Sequence, residues 1–175
     1  PVRKIDGSPF INAQNRYRIA SNETTAIFQG DAVQAAATGT IVRHTAANGE
    51  KICGVFNGCF YTDPTTSKPT FSRWLAASNS ATDIVGFVND DPFTVFEIQS
   101  AGSGAHAQGD VGSNADLATY AAGAAPDYLS SVELVDTQST TTAVCRIIGL
   151  SLDPDNNDVT AANVNWRVLI AEHFY

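Results

Sequence analysis

The feature that most constrains this fold is a series of short segments rich in Val, Ile, Thr, Phe, Tyr and Trp, each bounded by Gly, Pro, Asn or Asp. Such segments have the composition of β-strands separated by turns. They cover 16–20, 40–44, 52–61, 70–75, 84–89, 94–99, 129–135, 142–150 and 164–173. Helical periodicity is confined to the Ala-rich stretch 115–125. We therefore predict an all-β protein that folds as a compact antiparallel β-barrel or sandwich.

Hydrophobic alternation separates the predicted core strands from the N-terminal segment. In the last predicted strand, four apolar residues share one face: Val164, Trp166, Val168 and Ile170. Residues 1–15 have no periodic apolar positions, so we interpret them as an extended N-terminal arm. The chain has 175 residues, enough to enclose one hydrophobic core. We therefore predict an arm over 1–15 followed by a single β domain over 16–175.

Charge is distributed unevenly along the chain. Four basic side chains and one acidic one lie in residues 1–18: Arg3, Lys4, Arg16 and Arg18 against Asp6. The formal net charge is −8, so this segment carries +3 and the remainder −11. This asymmetry predicts an arm that seeks an acidic partner and a body that avoids polyanions. No basic stripe is visible in the body, so we do not expect nucleic-acid binding.

The cysteines and the apolar runs indicate the expected compartment. The three cysteines are an odd number: Cys53, Cys59 and Cys145. With no segment of secretory-signal character in the sequence, we expect reduced thiols in a protein made in the cytoplasm. No apolar run approaches the roughly 20 residues that span a bilayer, so no membrane partner is expected.

The sharpest metal candidate is a turn rich in Asp and Asn. Asp153, Asp155 and Asn157 match the first three ligand positions of a calcium-binding EF-hand loop. The sixth position is Asp158 where that loop has Gly, and the twelfth is Val164 where it has Glu. We therefore interpret the segment as a solvated turn between two strands and predict no metal site, leaving open an adventitious divalent ion.

Catalytic arrangements are not encoded in a recognisable spacing. The three histidines stand far apart and are interpreted as exposed or hydrogen-bonded single residues: His44, His106 and His173. Ser103 lies between two glycines but not in the G-x-S-x-G pattern of a hydrolase. Asp90-Asp91-Pro92 has the composition of a turn. We therefore predict a protein that is not an enzyme and has no cofactor.

The strand aromatics admit two interpretations. They include Phe56, Phe60, Tyr61, Phe71, Trp74, Phe87, Phe93, Phe96 and Trp166. A sugar-binding platform is one interpretation, and burial in the core is the one we favour, because each ring buries a large apolar area.

A faint internal echo is also present. Gln29-Gly30-Asp31 precedes Cys53 as Gln108-Gly109-Asp110 precedes Cys145. Two related β units would produce this order, and chance is the alternative.

The order of several short motifs resembles the capsid decoration, or cement, proteins of tailed bacteriophages. The motifs are Tyr17-Arg18-Ile19-Ala20, Ile27-Phe28-Gln29-Gly30-Asp31-Ala32-Val33, Gly54-Val55-Phe56-Asn57-Gly58, Asp91-Pro92-Phe93-Thr94-Val95-Phe96, Arg146-Ile147-Ile148-Gly149-Leu150 and Glu172-His173. The resemblance covers most of the chain and depends on the collinear order of the pieces. It supplies no catalytic residues.

The resemblance implies a structural virion protein on the outer surface of the phage head. Its expected partners are the major capsid protein and further copies of itself, as a homotrimer or alternatively a dimer. The alternative function is a head-fibre or receptor- and glycan-binding protein. From charge and composition, we predict that the arm contacts the capsid through Arg3, Lys4, Phe10 and Ile11.

Overall fold

The described residues form two antiparallel β-sheets. The computed structural model describes residues 3–11, 13–45, 50–102, 106–118, 126–139 and 143–175. Its strands are β1 Arg3–Lys4, β2 Asn15–Arg18, β3 Ala32–Ala35, β4 Ile41–Arg43, β5 Gly54–Thr62, β6 Pro69–Ser72, β7 Val85–Asn89, β8 Thr94–Gln99, β9 Asn114–Leu117, β10 Leu134–Ser139, β11 Cys145–Leu150 and β12 Asn165–Ile170. The predicted all-β class is confirmed in its sandwich-like form, and neither sheet closes into a barrel.

Each sheet contains six strands. The N sheet has the order β2-β7-β5-β3-β4, with β6 paired to the remainder of β5, and the C sheet has the order β1-β8-β12-β11-β9-β10. The C sheet curls until Ser100, just after β8, forms a single parallel bridge with Leu134 of β10. Residues 90–93, between β7 and β8, carry the chain from one sheet to the other.

Two hydrophobic cores lie against the two sheets. The core of the N sheet contains Ile19, Ile27, Val33, Ile41, Cys53, Phe56, Cys59, Leu75, Ala81, Ile84 and Val88. The core of the C sheet contains Phe96, Ala115, Leu117, Leu134, Val144, Cys145, Ile147, Val164, Trp166, Val168 and Ile170, together with Ala32 and Ile52 from the first half. The face predicted for the last strand is therefore confirmed, because its four apolar residues are all buried in this core.

The two sheets share one topology. The strands β2, β3, β4, β5 and β7 form a first repeat, and β8, β9, β10, β11 and β12 form a second repeat. In each repeat, the strands that are first to fifth along the chain stand in the sheet in the order first, fifth, fourth, second, third, and each neighbouring pair is antiparallel. Among the strands that the structure describes, β1 and β6 have no counterpart in the other repeat and lie outside this shared topology.

Backbone hydrogen bonds fix the residue equivalence between the repeats. The Gly30 N–H donates to the Phe56 carbonyl at 2.8 Å, and the Gly112 N–H donates to the Ile147 carbonyl at 2.8 Å. These two glycines have φ values of 98° and 96°, which favour Gly. The two β units predicted from the sequence echo therefore share one topology. The predicted residue alignment is wrong, because Gly112, and not Gly109, is equivalent to Gly30.

The two cores fill the same space with different residues. Phe56 is equivalent to Ile147, and Gly86 is equivalent to Trp166, as the strand registers show. A Cβ atom on Gly86 would lie 3.2 Å from the Phe56 ring. The first repeat therefore pairs a large residue with Gly, whereas the second pairs Ile with Trp, so the two repeats fill these equivalent positions with side chains of different total size.

Several predicted boundaries change in the structure. The predicted strand 94–99 coincides with β8, while 129–135 overlaps only the start of β10. The helical interpretation of 115–125 is wrong at its beginning, because Asn114–Leu117 is a strand paired with β11, and 119–125 lie outside the described residues. The strands β3 and β9 were not predicted.

The segment interpreted as an arm takes part in both sheets. Arg3 and Lys4 pair with Val95 and Thr94 at the edge of the C sheet, and Asn15 begins β2. Residues 3–9 fold back as a short turn, in which the Lys4 N–H donates to the Ser8 carbonyl at 3.0 Å. The domain boundary after residue 15 stays a prediction.

Candidate interaction surface

An aromatic surface covers the outer side of the N sheet. Phe60 of β5 lies opposite Phe71 of β6, and it also pairs with Val85 of β7. Phe87 is two residues after Val85 and therefore points to the same side, where its cross-strand neighbour is Arg16 of β2. We call these five residues the aromatic face. The residues that alternate with them, such as Cys59 and Val88, point into the core.

The rings of the aromatic face contact one another; Phe71 is open to solvent, and Phe60 and Phe87 are half-buried. The Phe60 and Phe71 centroids are 4.7 Å apart, and Phe71 and Phe87 stack at 6.1 Å. Phe71 is 75% exposed. The guanidinium carbon of Arg16 lies 5.9 Å from the Phe87 centroid, within the range of a cation–π contact. The five side chains line a shallow depression of about 240 Å³.

The second repeat shows that the fold does not require an aromatic face. The positions equivalent to Phe60, Val85, Phe87 and Arg16 hold Ser151, Asn165, Arg167 and Glu97. These polar side chains bond to their neighbours: the Ser151 hydroxyl donates to Glu97 Oε1 at 2.7 Å, and Arg167 Nε donates to the Leu150 carbonyl at 2.6 Å. The exposed rings of the first repeat are therefore a local specialisation.

The four predicted capsid contacts differ in their surroundings. Lys4 Nζ forms an ion pair with Asp91 Oδ2 at 2.8 Å. The hydrogen bond and the opposite charges raise the pKa of Lys4 and lower the pKa of Asp91. Arg3 and Phe10 are half-buried. Ile11 is 76% exposed. Lys4 is therefore already engaged inside the molecule, and Ile11 is the most accessible of the four.

A buried carboxylate ties the C-terminus to β2 and β7. Asp90 accepts hydrogen bonds from Asn15 Nδ2 at 2.9 Å, from the Tyr17 hydroxyl at 2.5 Å and from the Tyr175 hydroxyl at 3.2 Å. Burial and the bond to Asp90 raise the pKa of Tyr17 well above its usual value. The Tyr17 hydroxyl also contacts the Cys53 thiol. This cluster connects the C-terminus to β2 and β7, and the Tyr17 hydroxyl stays protonated.

All three cysteines are buried and free of disulfides, in agreement with the expected reduced thiols. Burial raises the pKa of Cys53, and it raises the pKa values of Cys59 and Cys145 to about 12. A thiol with so high a pKa is a poor nucleophile at neutral pH. The histidines are also buried, so the exposed alternative is wrong for them. The hydrogen-bonded alternative holds for His44, whose Nε2 lies 3.2 Å from the Glu50 carbonyl, and for His173, whose Nδ1 accepts from the Tyr175 N–H at 3.2 Å.

The Asp- and Asn-rich segment forms a capped turn between β11 and β12. Asp153 accepts a hydrogen bond from the Asp155 N–H at 3.0 Å and caps a short 3₁₀ turn over Pro154–Asn156. Within the described part of the chain, no three His, Cys, Asp or Glu side chains group closely enough to hold a metal ion. No helix in the described ranges is long and apolar enough to cross a membrane.

A second concavity of about 530 Å³ opens beside the core of the C sheet. Its walls include core residues such as Phe96, Val168 and Ile170. Two further lining residues, Leu117 and Leu129, are joined by a segment that includes 119–125, which lies outside the described residues. Because its walls are core side chains, we interpret this concavity as part of the packing of the C sheet.

Comparisons with known proteins give no assignment. No family model, curated protein or solved structure matches the chain. The relation to phage decoration proteins, drawn from the order of short motifs, therefore stays a prediction.

Sequence reasoning missed the aromatic face because it counted strand aromatics as core. That interpretation is confirmed for Phe56, Phe96 and Trp166 but is wrong for Phe71 and Phe93, which are exposed. The signal was present in the register of β5 and β7: Phe60 is one residue from the buried Cys59, and Phe87 is one residue from the buried Val88. Alternation from the buried Val88 places Phe87 on the outer side. Alternation from Phe56 would place Phe60 in the core, and the register shift between Phe56 and Cys59 turns it outward instead.

Proposed function

We propose that this chain is a non-enzymatic structural protein of a virion, which binds the outer surface of a tailed-phage head and bridges neighbouring capsid subunits. The observation that carries the proposal is the aromatic face, because the equivalent surface of the second repeat is polar and internally hydrogen-bonded. Aromatic residues and Arg are enriched where protein interfaces concentrate their binding energy. A cluster of one exposed and two half-buried rings beside an Arg therefore favours a protein partner.

Bridging explains how such a protein would stabilise a shell. A ligand that binds only the intact lattice stabilises it by RT ln(1 + [L]/Kd). Many copies, each with a modest contact, then act together on one particle. The acidic character of the body fits this role, because it gives the chain no attraction to the packaged nucleic acid.

Binding to heads that lack this chain tests the proposal. Purified protein should co-sediment with such heads to saturation and raise the temperature at which they release DNA. Phe71→Ser should weaken binding at least tenfold, because it removes the most exposed ring of the aromatic face. The matched control is Leu152→Ser, which removes another large exposed apolar residue, 69% exposed, from a turn outside that face. Failure of the unaltered protein to bind heads would refute the proposal.

The alternative, a glycan- or receptor-binding head protein, makes a different prediction. Sugar sites combine an aromatic surface with several placed polar groups, whereas the aromatic face offers Arg16 alone among its five residues. A glycan array probed with the purified protein separates the two. Saturable glycan binding that Phe71→Ser abolishes would favour the alternative.

A further inference from the structure

We infer that the free edge of β2 accepts an extended acidic segment of its partner as an added β-strand, with the aromatic face as the adjoining contact. This inference rests on the proposed function and names the chemistry of the segment that the shell would present. In the described residues, β2 pairs only with β7 and forms the end of the N sheet. Its second edge is therefore available for pairing.

The register shows which backbone groups face that edge. The Ile19 N–H donates to the Ile84 carbonyl, at 3.2 Å, on the β7 side. Because hydrogen-bonded and non-hydrogen-bonded pairs alternate in an antiparallel ladder, Tyr17 also bonds towards β7, whereas the N–H and C=O groups of Arg16 and Arg18 point outward. An incoming strand would bond to these two residues.

The positive charge of the β2 edge favours an acidic incoming strand. The side chains of Arg16 and Arg18 project on the aromatic face, where the directly opposed residues of an added strand would also project. Arg16 rests on the Phe87 ring. Arg18 donates to the Thr82 carbonyl at 2.8 Å and lies near Asp83, whose pKa it helps to lower. Acidic side chains opposite these arginines would be neutralised, whereas basic ones would be repelled.

The equivalent edge strand of the second repeat has a different charge and already carries a short added strand at one end. The strand equivalent to β2 is β8, and its edge receives β1, whose Lys4 pairs with Asp91. At the positions equivalent to Arg16 and Arg18, β8 carries Glu97 and Gln99. The strand β1 pairs with Thr94 and Val95, before these two positions, so the edge residues equivalent to Arg16 and Arg18 differ in charge from them. The basic character of the edge is therefore specific to β2, and an acidic strand is its complement.

A second copy is a poor occupant through its own β2. An antiparallel pair of two β2 edges would bring Arg16 and Arg18 of one copy against the arginines of the other, which is unfavourable. Its β1 is basic as well. Charged residues on an edge strand can also have the sole role of preventing two copies from pairing through that edge. The variants below separate this role from binding of a partner strand.

Proline substitution tests the strand addition directly. Arg16→Gln removes the charge and keeps the outward N–H, whereas Arg16→Pro removes both, without taking a hydrogen bond from the β2–β7 ladder. On heads that lack this chain, Arg16→Gln should bind about tenfold more weakly at low salt, with a smaller loss at high salt. Arg16→Pro should bind at least about tenfold more weakly than Arg16→Gln at either salt concentration.

The matched control is Gln99→Pro, which places a proline at the position of β8 equivalent to Arg18, on an edge that faces Leu134 of β10 and is closed to an added strand. It should bind heads like the unaltered protein, and all variants should keep the same melting transition within a few degrees. If Arg16→Pro binds as tightly as Arg16→Gln, strand addition is wrong while the proposed function stands. If both Arg16 variants bind heads normally but self-associate, the arginines only protect the edge and the inference is overturned. If the unaltered protein does not bind heads, the proposed function and this inference both fail.

Discussion

Phe56 and Trp166 fill the centres of the two cores from different strands of the shared topology. Phe56 comes from β5 and lies against Gly86 of β7, whereas Trp166 comes from β12, the strand equivalent to β7. Interiors are packed to nearly crystalline density, so a large residue at one position demands a small one at its neighbour. Exchanging one residue of such a pair by itself should therefore destabilise the protein.

Gly86→Val should therefore destabilise the protein by about 1–3 kcal/mol, since a Cβ there already meets Ile19, Phe56 and Ile41 side chains at 3.1 to 3.3 Å. Phe56→Leu makes room, so the double variant should be less destabilised than the sum of the two single effects by at least about 0.5 kcal/mol. Urea denaturation measures the free energies of unfolding. The control is Gly109→Ala, where a Cβ would meet nothing within 4 Å. Additive effects would show that the two positions are not coupled.

The buried thiols predict both reactivity and pH dependence. Native protein at pH 8 should resist alkylation, whereas denatured protein should take up three adducts by mass spectrometry, because burial raises the pKa of every cysteine. The unfolded state loses its thiol protons near pH 9, and the folded state holds those of Cys59 and Cys145 to about pH 12. Stability should therefore fall as pH rises from 9 to 12. A native disulfide would contradict the prediction.

At the scale of the element, sequence composition identifies strands that carry their own β-forming residues. The predicted segment 94–99 matches β8 because Thr94, Val95, Phe96 and Ile98 favour strands. The strands β3 and β9, with sequences AVQA and NADL, have little intrinsic preference, and pairing with β5 and β11 makes them strands. Local composition does not reveal which distant segments pair with each other. For the same reason, the sequence alone did not give the correct residue alignment of the two repeats.

The N-terminal segment makes a prediction of its own. A chain lacking residues 1–11 loses β1 and the Lys4–Asp91 ion pair but keeps Asn15 on Asp90. We expect it to retain β-rich circular dichroism and a cooperative melt, with a transition lowered by a few degrees, since surface ion pairs and two-residue edge strands contribute little. If the segment also attaches the protein, head binding should fall, and Ile11→Ser in the full chain should reproduce part of that loss. Unchanged head binding would remove the segment from the interface.

At the scale of the whole molecule, the resemblance to decoration proteins predicts a homotrimer, with a dimer as the alternative. Closed symmetry would satisfy each contact surface once. Sedimentation equilibrium should give about three times the chain mass of 18.5 kDa. Association should strengthen with salt, because a chain with a net charge of −8 repels its copies at low ionic strength. A protein that remains monomeric both in solution and on heads would contradict the prediction.

The charge difference between the edge strands β2 and β8 bears on how many partner strands one chain can bind. A duplicated fold would ordinarily offer two copies of any binding edge, and a bivalent molecule can cross-link its partners without limit. Here the positions on β8 that are equivalent to Arg16 and Arg18 hold Glu97 and Gln99, and β1 pairs with the preceding residues of β8, Thr94 and Val95. On the inferred strand addition, β2 accepts one acidic strand per chain, so binding would saturate at one partner segment per protein molecule.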